Sequence, residues 1–256
     1  MDESEITALT THVVNAIDTA KASAEPFHHI VIDDVFPGDI YTRMLALMPT
    51  AHSFRALPGR GNFNVRADGS STRIKLDLFP EFVRHLQPTP RALWAGVGKV
   101  LRSREVRNAF VRRLAPGLQR RFGDDYEQTG LYPIPMLTRD TAGYRIPPHT
   151  DTHWKGITVQ LYLPPDESIS HVGTGFDTKR GEEFARVKQM VFKPNHGYAF
   201  AVGDDTWHSV DACADLPISR DSILHTYFVD RSPLQVLRNR GKRIGNFIQN
   251  EVRSAF

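Results

Sequence analysis

The sequence predicts a mainly β protein with helical decoration: an antiparallel sandwich or jelly roll with helices packed on its outside. Two observations carry that expectation. From about Leu131 the chain breaks into short β-type runs, LYPIPMLTR, GITVQLYLP, KQMVFKP, GYAFAV and SILHTYFV. Between them lie turn-forming stretches, Asp-Thr-Ala-Gly, Pro-Pro-Asp, Gly-Thr-Gly, Pro-Asn-His-Gly and Gly-Asp-Asp. Strands this short and this regularly punctuated suit two packed antiparallel sheets better than a parallel βα array.

Before Leu131 the periodicity is mostly helical. Ile6, Leu9, Val13, Val14 and Ile17 fall on one helical face, HHIVIDDVF (28–36) reads as a strand, and Pro37-Gly38-Asp39 opens a helix through IYTRMLALM. The segment LPGRGNFNVRADGSSTR (57–73) is too polar to pack and reads as a long loop, the kind of segment that serves as a lid. A helical region runs from about Pro88 to Phe122. There is no internal repeat and no evident linker, so residues 1–256 are expected to form one domain. Residues 1–130 supply helical support and the lid loop, 131–230 the β core, and 231–256 a C-terminal tail or helix.

Composition narrows the function. With 40% apolar residues in 256 the chain can bury a sizeable core. Its single cysteine, Cys213, excludes an intramolecular disulfide and any cysteine-rich zinc knuckle or iron–sulfur site, which need two to four thiolates. The N-terminus MDESEITALTTHVVNAIDTA begins acidic and reads as an amphipathic helix rather than a secretory signal, and no apolar run is long enough to cross a bilayer. A soluble, cytoplasmic protein without a membrane partner is the expectation. Net charge is only +3, yet 101–122 holds seven arginines against one acid, Glu105. Its two aromatic residues, Phe110 and Phe122, are not interleaved as base stacking would require, so this segment is read as a solvated helical face and nucleic acid is not the expected partner. The oligomeric state has no signature in the chain.

The chemistry concentrates in HTDTHW (149–154). Residues i and i+2 of a strand lie roughly 6.6 Å apart on one face and can converge on one ion, whereas i and i+4 lie roughly 13 Å apart. His149 and Asp151 are therefore candidate ligands, and His153 falls outside the set. A third ligand must come from His171, His196, His208 or His225. His208 is the best of them, because the strand that follows carries Arg220 and Ser222 on one face. A guanidinium there must reach solvent or hold an anion, and with a hydroxyl two residues on it makes a carboxylate receptor.

His149-x-Asp151, His208 a further 59 residues on, and Arg220-x-Ser222 together resemble the motif of the iron(II)- and 2-oxoglutarate-dependent dioxygenases, particularly the prolyl-hydroxylase-like branch. The resemblance covers roughly 131–230. It implies a double-stranded β-helix, a jelly roll of cupin-like form, with His149, Asp151 and His208 as the iron triad at the catalytic centre. Arg220 and Ser222 would hold the distal carboxylate of 2-oxoglutarate, joined by Tyr162 in LYLP. Fe(II), 2-oxoglutarate as co-substrate and O₂ would hydroxylate a C–H bond and release succinate and CO₂. Desaturation and epoxidation use the same centre. Halogenation is excluded, since halogenating relatives lack the carboxylate that Asp151 provides. The chain departs from the branch in having Gly173-Thr174-Gly175-Phe176 where Gly-Gly-x-Leu is frequent, and two prolines directly before His149.

A small metabolite, such as an amino acid or natural-product intermediate, is the leading substrate class. A protein side chain is the alternative, with the 57–73 loop as a peptide lid. Nucleic-acid demethylation is disfavoured, because the second arginine of that branch would stand at position 226, which is Thr. A non-catalytic metal-binding jelly roll or a zinc hydrolase has no use for Arg220-x-Ser222.

Overall fold

A computed structural model describes residues 1–57 and 63–254. In chain order its strands are β1 (Lys21–Ser23), β2 (His29–Ile32), β3 (Arg55–Ala56), β4 (Arg73–Asp77), β5 (Leu131–Asp140), β6 (Tyr144–His149), β7 (Lys155–Tyr162), β8 (Gly175–Arg180), β9 (Glu183–Gln189), β10 (His196–Ala201), β11 (His208–Cys213) and β12 (Arg220–Val229). The helices are α1 (Glu3–Asp18), α2 (Gly38–Ala46), α3 (Pro80–Val83), α4 (Pro88–Leu101), α5 (Arg104–Arg113), α6 (Ala115–Phe122) and α7 (Pro233–Ser254). None of these helices is long and apolar enough to cross a membrane.

The strands form two sheets. The larger has the order β1-β2-β10-β7-β12-β5-β4-β3 and the smaller β6-β11-β8-β9. Every pairing is antiparallel. From β5 to β12 the chain passes repeatedly from one sheet to the other, which is the double-stranded β-helix, or jelly roll, flanked by N-terminal helices.

Alternation along β7 shows why the sheets stack this way. Ile157, Val159 and Leu161 join the outer apolar core with Leu9, Val13 and Ile17 of α1 and Trp94, Val97 and Phe110 of α4 and α5. The opposite face carries Thr158 and Gln160 toward the space between the sheets. That inner space is closed by aromatic rings from both sheets, among them Tyr144, Tyr162, Phe176, Tyr198 and Phe200.

Three local readings are revised. The helical region 88–122 is broken twice: Ser103 caps α5 by accepting from the Val106 N–H, and Pro116 opens α6. The run KQMVFKP is not a strand of its own, since β9 ends at Gln189. The polar 57–73 segment is in part built structure. Residues 58–62 lie outside the described residues, but the Arg66 N–H donates to the Ser70 carbonyl (2.8 Å), and Val65 bridges Ser71 around Gly69 at φ 81°. Arg66 fastens this turn to Thr141 and Ala142 at 2.8 Å each, and Asn64, Thr72 and Arg73 are buried. Polar side chains pack here because each finds a partner.

His225 lies on the outer face of β12, with its ring 4.4 Å from that of Tyr227 and 6.3 Å from that of Phe110. Burial pushes its imidazole down to about 3. In the unfolded chain it titrates near the ordinary 6.5, so stability is complete above that value and falls as pH drops from 6.5 toward 3. Urea unfolding at pH 7 and pH 5 is expected to show that His225→Leu removes up to about 1.4 kcal/mol per pH unit of this acid sensitivity. An unchanged slope in the variant would refute the assignment.

Candidate functional site

Antiparallel pairing of β6 with β11 sets His149 directly opposite His208, and their ring centroids lie 4.3 Å apart. Asp151 follows two residues later, where the chain has already left β6. Its approach to the histidines therefore depends on a turn rather than on strand pleat. One ligand atom each from His149, Asp151 and His208 lies within 4.8 Å of the others.

Backbone carbonyls orient both rings. His149 Nδ1 donates to the Pro147 carbonyl and His208 Nδ1 to the Thr206 carbonyl, each at 3.0 Å. A carbonyl only accepts, so Nδ1 carries the proton and each Nε2 keeps a free lone pair for a metal. Burial, reinforced by the neighbouring His208, pushes the His149 imidazole down to about 4, so it is neutral at pH 7. Burial alone would raise the Asp151 carboxyl. Lys155 and His208 beside it, with hydrogen bonds from Lys155 and Thr158, overcome that and hold it well below the usual carboxylate range. Two imidazoles, each with its Nδ1 held on a backbone carbonyl, and an ionised carboxylate form a donor set that suits a divalent first-row metal. His153 is exposed, packs edge-on against Trp154 and is not in the cluster. His196 is bonded to Asp33 instead, at 2.9 Å.

A narrow cavity of about 70 Å³ runs from this cluster between the sheets, lined by Arg73, Tyr144, Gln160, Thr174, Tyr198 and Arg220 among others. Arg220 reaches it from the start of β12, but its fork is largely committed. Nε donates to the Val172 carbonyl at 2.8 Å and Nη1 to Asp140 at 2.7 Å, while Nη2 has a 3.4 Å contact with Thr174 Oγ1 and the guanidinium also bears on the Tyr162 hydroxyl. Arg73 also binds Asp140, through Nε at 2.5 Å and Nη2 at 2.9 Å. Relative exposures are 8% for Arg73, 1% for Arg220 and 0% for Asp140. Two guanidiniums thus share one carboxylate away from water, leaving one excess positive charge at the cavity wall.

Tyr162 and Ser222 do not line this cavity. The Tyr162 hydroxyl donates to Thr174 Oγ1 (3.1 Å) and accepts from the Thr174 N–H (3.0 Å). Ser222 Oγ is bonded to Thr138 at 2.9 Å and accepts from the Gln160 amide. Both hydroxyls are thus engaged by neighbouring side chains and backbone. Tyr144 lines the cavity. Its ring lies 4.3 Å beneath the Arg73 guanidinium, and its buried hydroxyl has no hydrogen-bond partner.

Sequence reasoning missed Arg73, Lys155, Tyr198 and the role of Tyr144. The one usable sign was a charged residue at the end of an apolar run, Asp140 in MLTRD, which requires a cation from another strand. A second cavity, about 480 Å³, lies on the other side of Asp151. Its walls include Phe27, His28, Arg121, His153, Val202 and Asp204. The basic 101–122 segment is not simply a solvated face. Arg112 pairs with Asp18 at 2.8 Å and Arg120 with Asp205 at 2.6 Å. Arg113 donates to the Ala20 carbonyl, and Arg121 donates to the carbonyls of His153, Lys155 and Val202.

Several solved structures resemble this chain in fold. A prolyl-4-hydroxylase from Pseudomonas putida is 15% identical with a TM-score of 0.47, covering 86% of this chain and 98% of its own. A prolyl hydroxylase from Trichoplax adhaerens, solved with a hypoxia-inducible-factor peptide fragment, is 14% identical with a TM-score of 0.49, covering 88% and 91%. AviO1 from Streptomyces viridochromogenes is 11% identical with a TM-score of 0.48, covering 88% and 96%. No protein-family profile and no curated protein matches the sequence. At such identities the likeness is one of fold, and the chemistry rests on this chain's own residues.

His149→Ala, Asp151→Ala and His208→Ala are each expected to weaken Mn(II) or Fe(II) binding about 100-fold or more, whereas His153→Ala leaves it near wild type. Isothermal titration under anaerobic conditions reads the difference. Equal losses for His153→Ala and His149→Ala would remove the distinction between them.

Proposed function

We propose that the chain is an Fe(II)- and 2-oxoglutarate-dependent oxygenase, working as one cytoplasmic catalytic domain, that hydroxylates an unactivated C–H bond of a small metabolite. The observation that carries this reading is the junction of two features: a two-histidine-one-carboxylate cluster with both Nε2 atoms free, and a buried cavity of net positive charge with an unpartnered Tyr144 hydroxyl. A metal site that only binds or hydrolyses has no need of the second.

His149, Asp151 and His208 would hold the iron. With 2-oxoglutarate and O₂, that centre supplies oxidative decarboxylation to succinate and CO₂ coupled to oxidation of a C–H bond. Arg220 and Arg73 would receive the distal carboxylate of 2-oxoglutarate through the guanidinium nitrogens not used on Asp140. Tyr144 adds a donor, because burial pushes its phenol up and keeps the proton on oxygen. Rings of Tyr144, Tyr162 and Phe192 around Arg220 exclude water and strengthen each of these contacts. The 480 Å³ cavity bordering Asp151 has the volume of a small-molecule pocket, which favours a metabolite over a protein side chain.

Titrating 2-oxoglutarate into Mn(II)-loaded protein without oxygen tests the co-substrate, and succinate formed with Fe(II) and O₂ tests the reaction. Arg220→Lys, which keeps a charge facing Asp140, is expected to weaken 2-oxoglutarate binding about 100-fold, and Arg73→Ala about tenfold. Wild-type protein that binds metal but not 2-oxoglutarate would sink the proposal.

A further inference from the structure

The two oxygens of Asp151 have different surroundings. Oδ2 accepts from the Thr158 hydroxyl at 2.6 Å and lies 4.0 Å from His208 Nε2, so it faces the space between the ligands. Oδ1 accepts from the Lys155 ammonium at 2.5 Å, an ion pair whose two side chains are 6% and 21% exposed. Lys155 is placed for this by a tight turn, closed by its N–H on the Thr152 carbonyl at 2.9 Å. Arg121 of α6 fixes the same turn from outside through the His153 and Lys155 carbonyls.

A carboxylate can bind a metal through one oxygen or both. Bound through both, Asp151 would occupy an additional position on the ion and leave one fewer for a chelating co-substrate and O₂. Lys155 sits on the oxygen that would have to swing inward. We propose that Lys155 is a positioning residue that holds Oδ1 away from the metal, so that Asp151 binds through Oδ2 alone and the open face of the site stays complete. The inference rests on the iron and 2-oxoglutarate reading above. Neither the charge of Lys155 nor its reach is needed for the fold's core, since the side chain lines the cavity rather than the apolar layers.

The experiment compares full-length wild type with Lys155→Met, Lys155→Gln and Lys155→Arg, all loaded with Mn(II). Water-proton relaxation counts the waters on the bound ion, and calorimetry without oxygen measures affinity for Mn(II) and for 2-oxoglutarate. Lys155→Met and Lys155→Gln are expected to hold one metal-bound water fewer than wild type, to bind Mn(II) no more weakly, and to bind 2-oxoglutarate about tenfold more weakly. Lys155→Arg is expected to restore the wild-type count. Weaker Mn(II) binding with an unchanged water count would assign Lys155 a general supporting role and overturn the inference. If the wild type binds Mn(II) but not 2-oxoglutarate, the functional reading fails, while the water count still decides what Lys155 does.

Discussion

Burying Asp140 constrains much of the architecture. A buried carboxylate costs several kcal/mol unless it is paired, and losing one partner of such a pair costs about 3–5 kcal/mol. Asp140 ends β5, and the sheet register sets Arg73 of β4 against it on one side and Arg220 of β12 on the other. A one-residue slip of either neighbour would turn its arginine to the opposite face and strand the carboxylate. The cluster thus sets the alignment of three strands and leaves positive charge where the narrow cavity needs it.

The helical layer adds to this in a less obvious way. Its apolar side covers the outer face of the large sheet, as amphipathic helices do. Its basic side reaches the ends of β7 and β10. Arg121 bonds carbonyls on the turn after Asp151 and on the loop before His208, so one side chain of α6 ties together the two segments that carry the triad. A surface rich in arginine reads as a nucleic-acid footprint only until its partners are counted.

Periodicity and turn chemistry are local properties, and they made the jelly roll, α1, α2 and the Arg220–Ser222 face of β12 legible in the sequence. The juxtaposition of His149, Asp151 and His208 was legible because the residue types and spacing jointly limit the options. What escaped was long-range pairing. Nothing near Arg73 announces that Asp140 awaits it, so a segment of polar residues read as loop although its end enters the large sheet. Tyr162 and Ser222 were placed on the correct face of their strands, but spacing along a strand does not tell which hydroxyls neighbouring side chains have already taken.

Asp151 borders both cavities, and among the described residues it alone lines both walls. The narrow one is enclosed mainly by paired strands, whose register tolerates little change, while the wide one is framed by α6, the approach to β2 and two loops. The two compartments are therefore modular. Substitutions around the wide chamber that spare Asp151 and Arg121 can change what it admits, while strand register keeps the charge pattern of the narrow one in place.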